Sequence, residues 1–223
     1  PINFANYTGA GGGSAKELDP HNKIKWNAPV ITGPTQFYTQ ESTAWTSSGI
    51  SVTGGSGSYT YSLPVAPGGA SVDGSGVVSF TTAAGAAVYN FTLRATDTVS
   101  SEYTDHSFVL DALSADTCLW TGTTSTTWET ASNWIYCAGA APLTTSKVVI
   151  SSGAPFMPVL ANSITIDSFG LGTGGGTVTV NNNRSLTLTN VTKTIRSSVK
   201  FQGSTTTCSY CYMGGSGNFK IVD

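Results

Sequence analysis

The strongest constraint on the fold is a series of short segments in which apolar and polar side chains alternate between clusters of glycine and proline. Residues 88–95 show the pattern best, because Tyr89, Phe91 and Leu93 share one face of an extended strand while polar side chains such as Arg94 occupy the other. Similar segments occur at 36–40, 49–53, 59–63, 77–81 and 107–112. Short strands between turn signals are typical of all-β proteins. We therefore predict an all-β fold, with the face that carries Phe91 and Leu93 directed into a core.

Charge excludes several classes of function. Charged residues make up 10% of the 223 residues, and the formal net charge is -2. Long soluble helices usually draw on Glu, Lys and Arg, so this composition disfavours them. Without a basic field the chain has no general attraction for phosphates, and we expect no nucleic-acid partner. No apolar run approaches the roughly 20 residues that cross a bilayer, so we expect no membrane insertion in this segment.

The four cysteines indicate an oxidising compartment. Cys118, Cys137, Cys208 and Cys211 form an even set in a chain rich in Thr, Ser and Gly, which favours disulfides and a secreted or cell-surface location. We prefer the pairs Cys118–Cys137 and Cys208–Cys211, although spacing alone allows three connectivities. The Cys-Ser-Tyr-Cys sequence also has zinc-knuckle and redox spacing, and both alternatives stay open.

Composition along the chain divides it into three segments. Residues 1–28 contain a glycine cluster and a mixed-charge stretch, and we interpret them as an extended arm or linker. Residues 29–115 carry the alternating strands, and residues 116–223 carry the cysteines and most of the tryptophans. We predict two β-domains with a boundary near Ser114–Asp116. Because the chain opens at Pro1 with no starting Met, we expect it to be a processed product or a fragment.

The first β-domain resembles a known family. The run Gly55-Ser-Gly-Ser-Tyr59-Thr-Tyr61, the turn at Asp73-Gly74 and the strand Tyr89-Asn-Phe91-Thr-Leu-Arg-Ala are similar to the immunoglobulin-like and cadherin-like domains of large bacterial surface proteins. The resemblance covers about residues 29 to 113. It implies a β-sandwich that serves as a spacer or stalk and is sometimes adhesive. Cadherins bind calcium at domain junctions, but the acidic residues here form no dense cluster. Calcium therefore stays a minority alternative, and we predict no metal and no cofactor.

A second resemblance covers roughly residues 118 to 200. The segment from Trp120 to Trp134 has the pattern W-x-G-x-x-S-x-x-W-x-x-x-x-N-W, which resembles a motif of repetitive secreted proteins and adhesins of bacteria. The resemblance implies that strands of the V-x-I type follow in a β-solenoid or a β-sandwich. Such strands recur from Val148 to Leu188. A solenoid usually needs at least three repeats, so we favour a closed, disulfide-stapled β-sandwich over a short β-solenoid.

Catalytic patterns are poorly represented. Thr104-Asp105-His106-Ser107 contains the residue types of a triad, but on a strand Asp105 and Ser107 project from one face and His106 from the other. No nucleophile elbow, zinc-protease motif or phosphate-binding loop occurs. Asp and Glu total only 12, although a carboxylate pair for glycoside hydrolysis can converge from distant strands. We predict a non-enzymatic protein.

Aromatic side chains supply the candidate contact residues. Trp120, Trp128 and Trp134 lie close together in the chain, and exposed aromatic rings stack on the apolar faces of sugars. We expect Trp120 and Trp134 to belong to the core and take Trp128 as a contact candidate. Tyr210 and Tyr212 are the other candidates, on a turn that a disulfide would pin.

These observations predict a non-catalytic extracellular segment that acts in adhesion or as part of a cell-surface fibre. Its partner would be a cell-surface glycan or protein, or copies of itself. Two alternatives stay open: a self-assembling structural subunit without its own ligand, with residues 1–28 as a docking arm, and a carbohydrate-binding module of a secreted enzyme.

Overall fold

The structure is a computed structural model of the chain. It describes residues 28–151, 153–169, 177–180 and 184–189, together with the backbone of the strands at 15–18, 24–26, 200–202, 207–208 and 219–222. The chain divides into two compact units, which are Pro1–Ala83 with Val88–Leu110 and Ala84–Ala87 with Asp111–Asp223. The boundaries drawn from composition at 28/29 and 115/116 stay predictions.

The prediction of an all-β fold is confirmed. The strands of the first half are β1 (Ala15–Leu18), β2 (Ile24–Trp26), β3 (Pro29–Thr32), β4 (Gln36–Gln40), β5 (Ala44–Thr46), β6 (Ser51–Gly54), β7 (Tyr59–Val65), β8 (Ser71–Val72), β9 (Val78–Thr81), β10 (Ala87–Asp97) and β11 (Tyr103–Leu113). Four of their sheets have the strand orders β4–β11–β10–β7, β5–β9–β8, β3–β6 and β1–β2. Antiparallel pairing of β1 with β2 places a hairpin within the segment predicted to be an extended arm.

The core of the first unit lies between its four-stranded and three-stranded sheets. Phe91, Leu93 and Phe108 from the four-stranded sheet pack with Val78 and Phe80 from β9. Phe91 and Phe108 stack with ring centroids 5.1 Å apart. Burial alternates along β10 as its sequence predicts, with Phe91 and Leu93 almost fully buried. The polar residues between them therefore face outward.

The second unit contains shorter strands and one turn of 3-10 helix. Its elements are β12 (Thr117–Trp120), a 3-10 turn (Ala131–Asn133), β13 (Trp134–Ile135), β14 (Lys147–Ile150), β15 (Val159–Leu160), β16 (Ile164–Ile166), β17 (Ser168–Phe169), β18 (Thr177–Val180), β19 (Ser185–Leu188), β20 (Lys200–Gln202), β21 (Thr207–Cys208) and β22 (Phe219–Val222).

Parallel pairing makes this unit a short β-solenoid. Strand β12 pairs in parallel with β14, and β14 with β17. On two further faces β15 pairs with β18 and β16 with β19, also in parallel, and β18 pairs with β20. A closed sandwich of antiparallel strands joined by short hairpins does not contain such ladders, because two parallel partners need a long connection between them. The preference for a closed β-sandwich was therefore wrong, and the solenoid alternative is the observed one.

Side chains that point into the solenoid stack from turn to turn. Leu160 lies opposite Val180, Ile166 lies opposite Leu188, and all four are essentially fully buried. Trp120 lies opposite Ile150 and joins the same core cluster. The tryptophan motif therefore forms the first turn of the solenoid, on the side where the short strand β13 ends its sheet.

Candidate functional site

The three tryptophans of the motif form one buried cluster. Trp120, Trp128 and Trp134 are 0%, 2% and 5% exposed, and their ring centroids lie 4.6 to 6.3 Å apart. The indole Nε1 of Trp120 donates to the carbonyl oxygen of Phe156 at 2.8 Å, and that of Trp134 donates to the carbonyl oxygen of Trp128 at 2.7 Å. Trp120 and Trp134 are core residues, as predicted. The prediction of Trp128 as a contact residue was wrong, because its side chain is buried and offers no open face to a ligand.

Asn133 organises the loop that covers this cluster. It is 0% exposed, and its Oδ1 accepts hydrogen bonds from the backbone N–H groups of Thr124 and Ser125, each at 3.0 Å. Its Nδ2 donates to the Ser125 hydroxyl at 3.1 Å and to the Thr127 carbonyl at 3.0 Å. An Asn amide offers two donors and an acceptor oxygen with two lone pairs, so the full capacity of this side chain is used internally.

The motif requires a glycine at residue 122 for a steric reason. Gly122 has a φ of 55°, in the left-handed region, and an added Cβ would lie 2.1 Å from the carbonyl oxygen of Phe156 and 2.6 Å from Nε1 of Trp120. A side chain at residue 122 would therefore occupy the space of the Trp120–Phe156 hydrogen bond. Together with Asn133, this explains why the motif needs these residue types: they build a packed end of the solenoid.

A disulfide closes the chain around the motif. Cys118 and Cys137 are bonded with their Cα atoms 4.9 Å apart, which confirms the preferred pairing of these two residues. Cys118 is buried. The alternative of a zinc site that uses these two cysteines as ligands is therefore wrong, since their sulfur atoms are bonded to each other. The Cys208–Cys211 pair and the candidates Tyr210 and Tyr212 lie outside the residues whose side chains the structure describes.

In the first unit, the outer surface of β10 and β11 carries a row of polar contacts that we call the polar sheet face, formed by Thr92, Arg94, Tyr103, Asp105 and Ser107. The hydroxyls of Thr92 and Ser107 lie 3.0 Å apart. Next along the strands, Arg94 donates to both carboxylate oxygens of Asp105, from Nε at 2.7 Å and from Nη2 at 2.8 Å. The guanidinium also lies 3.9 Å from the ring centroid of Tyr103. The five side chains thus form one connected surface.

Electrostatics make this face locally neutral. The hydrogen bond to Arg94 lowers the pKa of Asp105, and the same bond raises the pKa of Arg94. Both groups are therefore charged at neutral pH, and each compensates the other. Tyr103 is 53% exposed, so a large part of its ring surface meets solvent.

Sequence reasoning missed Tyr103 and the Arg94–Asp105 pair. The available signal was the alternation of residues 103–108, which puts Tyr103, Asp105 and Ser107 on one face. The predicted strand began only at residue 107, so the hairpin register was lost. The observed register also separates the triad-like residues, because Asp105 bonds to Arg94 whereas Nε2 of His106 donates to the carbonyl oxygen of Pro34 at 3.0 Å.

Asp97 is a buried carboxylate at the turn that follows β10. Burial acts to raise its pKa, but backbone N–H donors of Ser100, Ser56 and Val99 outweigh burial and lower the pKa to about 2. The Val99 and Ser100 bonds measure 2.9 and 2.8 Å. Asp97 is therefore charged at neutral pH and ties two turns together, which is a structural role.

Among the residues that the structure describes, no helix is long and apolar enough to cross a membrane. Among the same residues, no group of three or more His, Cys, Asp or Glu side chains is placed to hold a metal ion.

Comparison with known proteins gives little beyond this geometry. No protein-family model and no curated protein matches the chain. One solved structure, from Bacteroides fragilis and described as "a putative alpha-galactosidase", is 21% identical over 38% of this chain, with a TM-score of 0.32. The matched part amounts to 17% of that chain. A likeness of this size supports no statement about the function of the present protein.

Proposed function

We propose that the chain is a non-catalytic segment of a secreted or cell-surface protein that acts in adhesion or as part of a surface fibre. In this proposal an immunoglobulin-like sandwich is joined to a disulfide-stapled solenoid, and the partner is a cell-surface glycan or protein. The observation that carries the proposal is the Cys118–Cys137 bridge around the tryptophan motif, since disulfides form and persist in oxidising compartments.

The allocation of polar groups supports a rigid module. In the motif, Asn133 and the indoles of Trp120 and Trp134 direct their hydrogen bonds inward and stabilise the first turn of the solenoid. On the polar sheet face, by contrast, Tyr103 and the Arg94–Asp105 pair remain at the surface. A stiff scaffold with an ordered polar surface suits a contact that must persist outside the cell.

Adhesion can be tested with the oxidised full chain coupled to fluorescent beads. We expect retention on cell monolayers or on immobilised extracellular glycans and proteins, and loss of retention when soluble chain competes. The control beads carry the same chain after reduction and alkylation under denaturing conditions. Equal retention of the two bead types would contradict specific adhesion.

The self-assembly alternative rests on residues 1–28, whose strands β1 and β2 pair as a hairpin. Light scattering of the intact chain and of a chain without residues 1–28 separates the possibilities. An oligomer that becomes monomeric on removal of the arm favours a fibre subunit. Monomers in both cases remove the arm as an assembly element.

A further inference from the structure

We infer that the polar sheet face of the first unit is a binding surface for neutral glycan chains, centred on Tyr103. The inference rests on the proposed adhesive function and assigns its ligand class and its contact residues. None of these residues was a contact candidate in the sequence, where Trp128, Tyr210 and Tyr212 were preferred.

The first argument is the state of Tyr103. Tyr103 is 53% exposed, and the guanidinium of Arg94 lies 3.9 Å from the centroid of its ring. The cation therefore holds the ring in position while a large part of the ring surface stays open to solvent. An aromatic ring that is fixed before binding loses little conformational entropy when a sugar stacks on it.

The second argument is charge. Arg94 binds Asp105 through two parallel hydrogen bonds, so the face carries both signs and little net charge. An anionic ligand would have to compete with Asp105 for the guanidinium. A neutral chain rich in hydroxyls can instead donate to Asp105 and accept from the N–H groups of Arg94 that point away from the pair, without breaking it.

The third argument is the arrangement of polar groups along the strands. The paired hydroxyls of Thr92 and Ser107 lie next to the Arg94–Asp105 pair, and Tyr103 lies at its other end. From residue 103 to residue 107 an extended strand rises about 13 Å. The ring, the ion pair and the hydroxyl pair thus form a continuous track, which suits a linear chain of sugar units better than a single compact ligand.

The test uses the oxidised full chain and its Tyr103→Ala variant in affinity electrophoresis through gels that contain a soluble polysaccharide. The neutral probes are a β-glucan, a mannan and a galactan, and polygalacturonate is the anionic probe. We expect retardation by at least one neutral probe, and a loss of affinity of about tenfold in Tyr103→Ala, the upper range of one aromatic contact. Tyr103→Phe keeps the ring and should bind within about threefold of the parent chain.

Matched controls keep the result interpretable. Phe156→Ala removes an exposed aromatic ring from the second unit, where Phe156 is 44% exposed, and should bind like the parent. Because Tyr103 is about half exposed, Tyr103→Ala loses its contact with Arg94 but should stay folded at the temperature of the binding assay, which its unfolding curve checks. Asp105→Asn leaves the charge of Arg94 uncompensated and should shift the preference of the chain toward polygalacturonate.

Two results would overturn the inference: retardation by none of the neutral probes, or a Tyr103→Ala chain that binds them as tightly as the parent. Bead adhesion to cells distinguishes a failure of the glycan surface from a failure of the adhesive function. If Tyr103→Ala beads adhere as well as parent beads, the adhesive function stands and the contact surface lies elsewhere. If parent beads do not adhere but the chain binds a neutral probe through Tyr103, the adhesive function fails while the glycan surface stands.

Discussion

Replacing Gly122 with alanine tests the packing of the tryptophan motif most directly. The added Cβ would meet the backbone oxygen of Phe156 at 2.1 Å and Nε1 of Trp120 at 2.6 Å, whereas real Cβ atoms keep at least about 3 Å from such neighbours. Backbone cannot swing aside as the end of a long side chain can. The segment around Phe156 must move, and the indole hydrogen bond of 2.8 Å must lengthen or break.

The expected loss has three parts. Adopting a left-handed φ costs an alanine about 1 to 2 kcal/mol relative to glycine. Overpacking adds about 1 to 3 kcal/mol, and a buried indole donor without its acceptor adds about 1 to 3 kcal/mol. Gly139→Ala provides the matched control, because Gly139 has a φ of 78° and open space where the Cβ would go. Gly122→Ala should therefore lose about 2 to 6 kcal/mol more than Gly139→Ala.

The assay is equilibrium unfolding of the oxidised chain in urea, followed by tryptophan fluorescence. Three of the five tryptophans belong to the motif cluster, so the signal reports its opening. The midpoint of Gly139→Ala should fall slightly and that of Gly122→Ala far more, at a similar slope. If the two variants lose the same free energy of unfolding, left-handed strain alone explains the glycine and the steric argument for the motif is wrong.

Three further outcomes follow from the described contacts. Asn133→Ala should cost about 2 to 4 kcal/mol because it leaves buried partners unsatisfied, whereas exposed Asn162→Ala should stay within about 0.5 kcal/mol in the same urea titration. The double variant Cys118→Ser, Cys137→Ser lacks the bridge, and its free energy of unfolding should be lower by about 3 kcal/mol. Adding reductant to this variant should not remove the contribution of the bridge a second time. Asp97 has a pKa of about 2 when folded and an ordinary value of 3.8, so its contribution of about 2 kcal/mol is present above pH 3.8 and is lost as the pH falls toward 2. Asp97→Asn should flatten the stability profile in that window, and an unchanged profile would contradict the assignment.

Strands such as β4, β7 and β10 could be predicted because their signal is local, whereas the short strands β3, β5 and β8 have no counterpart among the predicted segments. In β10 the alternation of Phe91 and Leu93 with polar residues directly gives the buried face. The register between β10 and β11 was also accessible in principle, since the pairs Thr92–Ser107 and Arg94–Asp105 fit a single antiparallel register. It was missed because β11 was predicted to begin at residue 107 rather than at Tyr103.

The solenoid was harder to predict because its period is not local. Val159 pairs with Thr179 and Ile164 with Leu186, each about 20 residues further along the chain, and each turn holds two or three strands of unequal length. Strands of two to four residues give almost no periodic signal, and both sandwich and solenoid turns contain V-x-V pairs. Only the direction of pairing separates the two folds, and a single sequence does not encode that direction in any short segment.

Trp128 and Tyr103 show why aromatic residues were sorted incorrectly. The polar neighbours of Trp128 suggested exposure, and Thr127 and Glu129 are exposed, yet Trp128 itself is buried. Asn133 binds backbone groups of residues 124, 125 and 127 and so fixes the loop in which Trp128 turns into the core. The decisive quantity is how much of the hydrogen-bonding capacity around an aromatic ring is used inside the fold. Around Trp128 that capacity is consumed, so the ring serves the core. Around Tyr103 the ion pair is ordered while 32% of the Arg94 side chain and 37% of the Asp105 side chain remain exposed, which is the condition for binding a partner without first breaking the fold.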